Sequence, residues 1–187
     1  MKNGTPAVIA VCGVKNSGKT TLLVHVLPVL RERGLRVAVI KHDGHDFDPD
    51  VKGTDSYRLR TSGALGVAVY SRGRFMIVRE EASPTVEDLT LYFQDMDLVL
   101  LEGGKNSNYP KLVVRPDLMS PPIVGPVLAF CGSFPAESRI EGVPHLDPTD
   151  YRGIVDVILG FYESARRPAV RGEEQERKEQ ERENKNE

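Results

Sequence analysis

An α/β fold with a mostly parallel sheet, flanking helices and one antiparallel β-hairpin is predicted by three observations in this sequence. Ala7-Val8-Ile9-Ala10-Val11-Cys12 is a β-branched apolar run, followed by a glycine-containing loop and then by apolar residues at helical spacing. Val37-Ala38-Val39-Ile40 is a second such run one helix further on, which makes a βαβ unit and parallel strands. Val67-Ala68-Val69-Tyr70 and Phe75-Met76-Ile77-Val78 flank Ser71-Arg72-Gly73-Arg74, two apolar runs joined by a glycine turn.

Taken in order, residues 7–12 read as a strand buried on both faces. The helix over 20–33 carries Leu22, Leu23, Val26, Leu27 and Leu30; Pro28 is expected to kink it and Gly34 to end it. Residues 37–40 read as a second buried strand. Residues 42–53 are polar, acidic and turn-rich, so a loop is expected there. Thr54 or Asp55 can cap a short helix through residues 56–60. The hairpin, an insertion at about 64–80, offers a dimer or partner surface, with core packing the plainer expectation. Residues 85–93 read as a short helix capped by Ser83 or Thr85. Residues 97–101 read as a buried strand ending at Glu102-Gly103, 112–114 as a short strand, 127–130 as a core strand, and 150–165 as a closing helix. One nucleotide-binding domain is expected over 1–167. Residues 168–187 form a charged tail without apolar residues after Val170, expected to be disordered or a solvated helix.

Several function classes are disfavoured by composition. A net charge of -2 argues against a nucleic-acid partner held by bulk electrostatics. No apolar run is long enough to span a bilayer, so no membrane role is expected. The start of the chain lacks the signal-peptide pattern, and the two cysteines, Cys12 and Cys131, fall in apolar strand-like stretches. A reducing cytoplasm is the expected location.

Gly13-Val14-Lys15-Asn16-Ser17-Gly18-Lys19-Thr20 fits G-x-x-x-x-G-K-[ST]. A triphosphate is a dense anion that needs donors without bulky side chains in the way. Glycines let successive backbone amides curl inward, and the helix start adds its positive dipole end. Lys19 is expected on the β and γ phosphates and the Thr20 hydroxyl on Mg²⁺. The strand before and the helix after the motif make the fold class P-loop NTPase-like. Gly13, Lys15, Asn16, Ser17, Gly18, Lys19, Thr20 and Thr21 are the candidate nucleotide-binding residues. Lys15 can equally point to solvent. Mg²⁺ in such proteins is also held by a carboxylate ending a neighbouring strand. Glu102 ends the strand that Asp97 begins, and ligands sit outside the carboxyl ends of parallel strands, so Glu102 is favoured over Asp97. Asp43 follows the second strand and is the candidate for orienting water or metal near the γ-phosphate. His42, His45, Asp46, Asp48 and Asp50 share its loop, where a solvated, switch-like loop is a plainer expectation than a metal site.

The series Val39-Ile40-Lys41-His42, His45-Asp46-Phe47-Asp48, Gly53-Thr54-Asp55-Ser56-Tyr57-Arg58, Leu101-Glu102-Gly103-Gly104-Lys105 and Pro110-Lys111, together with the phosphate loop, resembles the MobB family, molybdopterin-guanine dinucleotide biosynthesis protein B. The resemblance covers residues 8 to about 114, and less clearly extends to 165. Gly104 stands where the family usually has an aromatic residue, and Asp43-Gly44 where bulkier or hydroxyl residues are common. The resemblance implies a homodimeric GTP-binding protein with weak GTPase activity; the motif and the strand ends supply the catalytic candidates Lys19, Glu102 and Asp43, with Mg²⁺ expected on Thr20 and Glu102. It implies as partners the guanylyltransferase that attaches GMP to the molybdopterin cofactor and that cofactor itself. Guanine preference rests on the resemblance, since no Asn-Lys-x-Asp motif occurs. A base could lie near Cys131-Gly132-Ser133. Two alternatives stand beside this reading: a small-molecule kinase, with Arg58, Arg60, Arg72 and Arg74 as lid candidates, and a non-catalytic adaptor carrying nucleotide or cofactor.

Overall fold

The structure is a computed structural model that describes residues 5–44, 47–80, 83–115, 123–132 and 140–166. The β-branched run Ala7–Cys12 forms β1. After the glycine loop, α1 spans Lys19–Glu32 and buries Leu22, Leu23, Val26 and Leu30. Pro28 lies inside it, and the helix continues past it to Glu32. The carbonyl left without a donor belongs to Val24, a residue 60% exposed, where water can replace the lost bond. β2 (Val37–Lys41) follows, then α2 (Asp55–Thr61), capped by the Thr54 side chain accepting from the Tyr57 amide.

The hairpin strands β3 (Gly66–Ser71) and β4 (Arg74–Arg79) pair antiparallel, with Tyr70 opposite Phe75 and Ser71 opposite Arg74. α3 (Val86–Thr90) starts with a reciprocal cap in which Thr85 and Asp88 satisfy each other's amides, and a 3₁₀ turn (Leu91–Phe93) continues it. β5 (Leu98–Glu102), β6 (Lys111–Val114), β7 (Val127–Cys131), the two-residue β8 (His145–Leu146) and α4 (Tyr151–Arg166) complete the order.

One six-stranded sheet runs β2-β5-β1-β6-β7-β8, with every pairing parallel. Side chains alternate across it. Ile9, Val11, Leu98, Leu100, Leu112 and Val114 pack with the apolar faces of α1 and α4, while Ala10, Ala38, Ile40, Val99 and Leu101 face Val86, Leu89 and Phe93. Cys12 and Cys131 are both free and buried. Burial pushes the Cys12 thiol up from its ordinary value and that of Cys131 up to about 12, so both stay neutral near pH 7.

Two expectations need correction. β2 is an edge strand, not a fully buried one: β5 inserts between it and β1, so Ala38 and Ile40 are buried while Val39 and Lys41 face outward. The hairpin does not pack into the core. It forms a separate two-stranded sheet, with Tyr70 84% and Phe75 73% exposed. β8 was not foreseen, because two residues carry no periodicity. The tail over 168–187 lies outside the described residues.

Candidate functional site

The parallel register places the carboxyl ends of β1, β2 and β5 side by side, and the phosphate loop leaves from β1 at the middle of that edge. Gly13 is required sterically: a Cβ there would lie 2.5 Å from the Ser17 Oγ and 2.5 Å from the Val114 carbonyl oxygen. Asn16 and Gly18 have φ of 63° and 96°, the left-handed geometry that curls the loop beneath the helix start. α1 begins at Lys19 with no side-chain cap and no acid in its first turn. Its leading amides and dipole therefore have no acid on the helix itself to offset them. The Lys19 ammonium lies across the loop, donating to the Gly13 and Val14 carbonyls at 3.0 and 2.7 Å.

Around this start lies a cleft of about 740 Å³, lined by Lys15, Asn16, Gly18, Lys19, Thr20 and Thr21 on one side and by Lys41, His42, Asp43, Gly44 and Glu102 on the other. Thus Asp43 and Glu102, read from separate parts of the sequence, meet the phosphate loop in one place. Gly13 and Ser17 form the inner side of the loop, with Ser17 buried. Glu102 is buried and accepts a 2.8 Å hydrogen bond from Thr20 Oγ1 on its Oε1.

That pair fits a hard divalent cation. Neighbouring oxygens around six-coordinate Mg²⁺, with bonds of about 2.1 Å, lie about 3.0 Å apart. The observed Thr20–Glu102 spacing of 2.8 Å is close to this, and both ligands are hard oxygens lining the cleft. Asp97, the rejected alternative, sits at the opposite end of β5. It accepts from the Arg36 amide and from Tyr162 Oη, so it is a structural acid.

The acidic loop serves mainly to hold itself together. Asp50 Oδ1 accepts from the Val51 amide, Thr54 Oγ1 and Ser56 Oγ, and Asp48 pairs with Arg60, which also grips Glu80 at the end of the hairpin. His45 and Asp46 lie outside the described residues, as does Ser133 of the suggested base position. Among the described residues, no three His, Cys, Asp or Glu gather as a metal set. Arg58, Arg60, Arg72 and Arg74 do not line the cleft, and Arg58 pairs with Asp55 on its own helix, so nothing in the geometry favours a kinase lid.

Sequence reasoning assigned no role to Lys41. Its ammonium lies 3.5 Å from Glu102 Oε1, because β2 and β5 pair Lys41 directly with Glu102. Its place as the last residue of a strand at the ligand edge was the available signal. Lys111 was also missed. It is fully buried, donating to the Ser107 carbonyl at 2.7 Å and to the Val124 carbonyl, which ties the loop after β5 to the segment before β7.

A parallel sheet carrying this loop at its central strand, ahead of an uncapped helix, is the P-loop NTPase fold. The profile of the family MobB, molybdopterin guanine dinucleotide synthesis protein B, matches residues 8–127, and the chain belongs to that family. The molybdopterin-guanine dinucleotide biosynthesis adapter protein of Escherichia coli is 34% identical over 166 residues, covering 81% of this chain and 91% of that one. The adapter protein of Haemophilus influenzae is 36% identical, covering 73% and 80%. The crystal structure of Bacillus subtilis MobB superposes with a TM-score of 0.68 at 29% identity, covering 82% of this chain and 96% of that one.

Proposed function

We propose that the protein binds GTP with Mg²⁺ in the cleft at the start of α1 and acts as an adapter in molybdopterin guanine dinucleotide biosynthesis, assisting the guanylyltransferase that attaches GMP to the molybdopterin cofactor. The observation that carries the nucleotide reading is the convergence of Lys19, Thr20 and Glu102 on one cleft beside an uncapped helix start. The adapter role is supported by the names of the relatives.

The loop amides and the α1 dipole would hold the phosphate chain, and Lys19 would leave the two loop carbonyls for the β and γ oxygens. Thr20 and Glu102 would hold Mg²⁺, which neutralises charge building on the phosphate oxygens. Asp43, at the mouth of the cleft, would orient the attacking water. Slow turnover suits an adapter. Two buried, free cysteines accord with a reducing cytoplasm.

Titration calorimetry of the full chain tests the reading. GTP binds more tightly than ATP, and chelating Mg²⁺ weakens the binding. Equal affinities for the two nucleotides would remove the guanine preference while leaving the phosphate site, and no binding of either would remove both. Adding the protein with GTP to the guanylyltransferase raises its rate of dinucleotide formation; no change would remove the adapter role.

The hairpin supplies the surface for a homodimer. Tyr70, Phe75 and Ile77 stand on one face of β3–β4 and are 84%, 73% and 48% exposed. An isolated two-stranded sheet is marginal in water and gains stability by covering such a face. Sedimentation finds a dimer in the wild type and a folded monomer in Phe75→Asp. A Phe75→Asp variant that stays dimeric would place the interface elsewhere.

A further inference from the structure

We infer that Lys41 competes with the divalent metal for Glu102, so that this lysine sets how tightly the site takes metal. The inference rests on the reading of Glu102 as a metal ligand and deepens it.

Glu102 is 7% exposed, and a carboxylate so placed is costly unless a cation or donors compensate it. Its partners converge on a single atom. Oε1 accepts from Thr20 Oγ1 at 2.8 Å and faces the Lys41 ammonium at 3.5 Å. This is the oxygen that, with Thr20, forms the pair whose spacing suits Mg²⁺. Lys19 is the other lysine nearby with defined partners, and its ammonium is engaged by the Gly13 and Val14 carbonyls. Compensation of Glu102 therefore falls to Lys41.

The backbone enforces the pairing. Lys41 and Glu102 are register partners in adjacent parallel strands, and the ladder continues one step beyond them, where the His42 amide donates to the Glu102 carbonyl at 3.0 Å. The lysine cannot drift away with a loop. Its side chain is 55% exposed, however, and its flexible four-carbon stem can carry the ammonium aside without moving the strand. A cation that is tethered at its backbone and free at its tip neutralises the acid and yields to a stronger one. A divalent ion on the same oxygen works against it, since two positive charges on one buried carboxylate oxygen repel.

The test is Mn²⁺ binding to the nucleotide-free full chain, read by electron paramagnetic resonance, with circular dichroism to show that each variant is folded. Lys41→Met binds Mn²⁺ roughly two- to fivefold more tightly than wild type, the range a half-exposed ion pair supports. Lys15→Met removes one positive charge from the same cleft without touching Glu102 and changes the affinity less. Adding Glu102→Gln to Lys41→Met abolishes the gain. Lys41→Met binding no more tightly than wild type would overturn the inference. So would an equal gain in Lys15→Met, or a gain that survives Glu102→Gln, because either would reduce the effect to net charge. The GTP titration above is independent of these outcomes: it can fail while Lys41→Met behaves as expected, and the reverse.

Discussion

Lys19→Ala lowers the affinity for GTP by roughly a hundredfold or more and leaves the fold intact. Charge-assisted hydrogen bonds are each worth about 1.5–3 kcal/mol, so two of them to phosphate oxygens account for a loss of that size. In the structure this ammonium already makes two hydrogen bonds within the loop, to the Gly13 and Val14 carbonyls. Moving it to a phosphate therefore exchanges neutral acceptors for charged ones. Little of the core depends on it, because α1 is anchored by Leu22, Leu23, Val26 and Leu30 further along the helix. Lys19→Arg does not restore full binding. The planar guanidinium is larger than the ammonium and cannot fold onto the same two carbonyls. Calorimetry with GTP and a thermal melt of each variant measure both halves. An unchanged affinity in Lys19→Ala, with the fold intact, would separate the cleft from the nucleotide.

The second large effect is on stability. Lys111→Ala costs about 2–4 kcal/mol, a fall in melting temperature of roughly 10 °C for a chain of this size. Lys111 is 0% exposed and lies at the start of β6, in the middle of the sheet. Its ammonium joins the Ser107 and Val124 carbonyls, and burial lowers its pKa from the usual lysine value. The two segments it joins are in close contact: a Cβ on Gly125 would come within 3.1 Å of the Asn108 Cα and the Ser107 carbonyl oxygen. Removing the side chain leaves a cavity and takes a charged donor from two carbonyls at once. Lys111→Met refills most of the volume without supplying a donor, so it costs less than alanine but more than a surface change. Urea unfolding of the three proteins gives the order wild type, methionine, alanine. Indistinguishable midpoints would show that the ammonium contributes nothing to holding these segments.

What could be read from the sequence follows from how local each signal is. β1, the phosphate loop and the start of α1 are consecutive, and the glycine positions carry their own steric reasons, so Gly13 to Thr20 were legible as a unit. The Thr54 cap and the Thr85 cap were legible for the same reason, since each is decided within four residues. The position of Glu102 and Asp43 beside the phosphate loop was legible through one general rule, that ligands gather at the carboxyl ends of parallel strands.

Two of the misses needed the order of strands. β2 was read as buried because its four apolar residues resemble those of β1; only the insertion of β5 between them makes it an edge. The Lys41–Glu102 pair spans 61 positions of sequence and exists through register alone. Lys111 is charged, and charge in a sequence reads as surface. Its burial is intelligible only once two carbonyls from distant segments are seen to meet it. The hairpin failed in the opposite direction, because apolar strands imply a cover without saying whether this chain supplies it.

The most direct measurement is a crystal structure of the full chain with a non-hydrolysable GTP analogue and Mg²⁺. The expected result places the β and γ phosphates against the amides that follow Gly13, with Lys19 turned from the Gly13 and Val14 carbonyls to the phosphate oxygens and the metal held by Thr20 and Glu102. Analogue bound elsewhere, with the loop unvisited and Lys19 still on its own carbonyls, would contradict it.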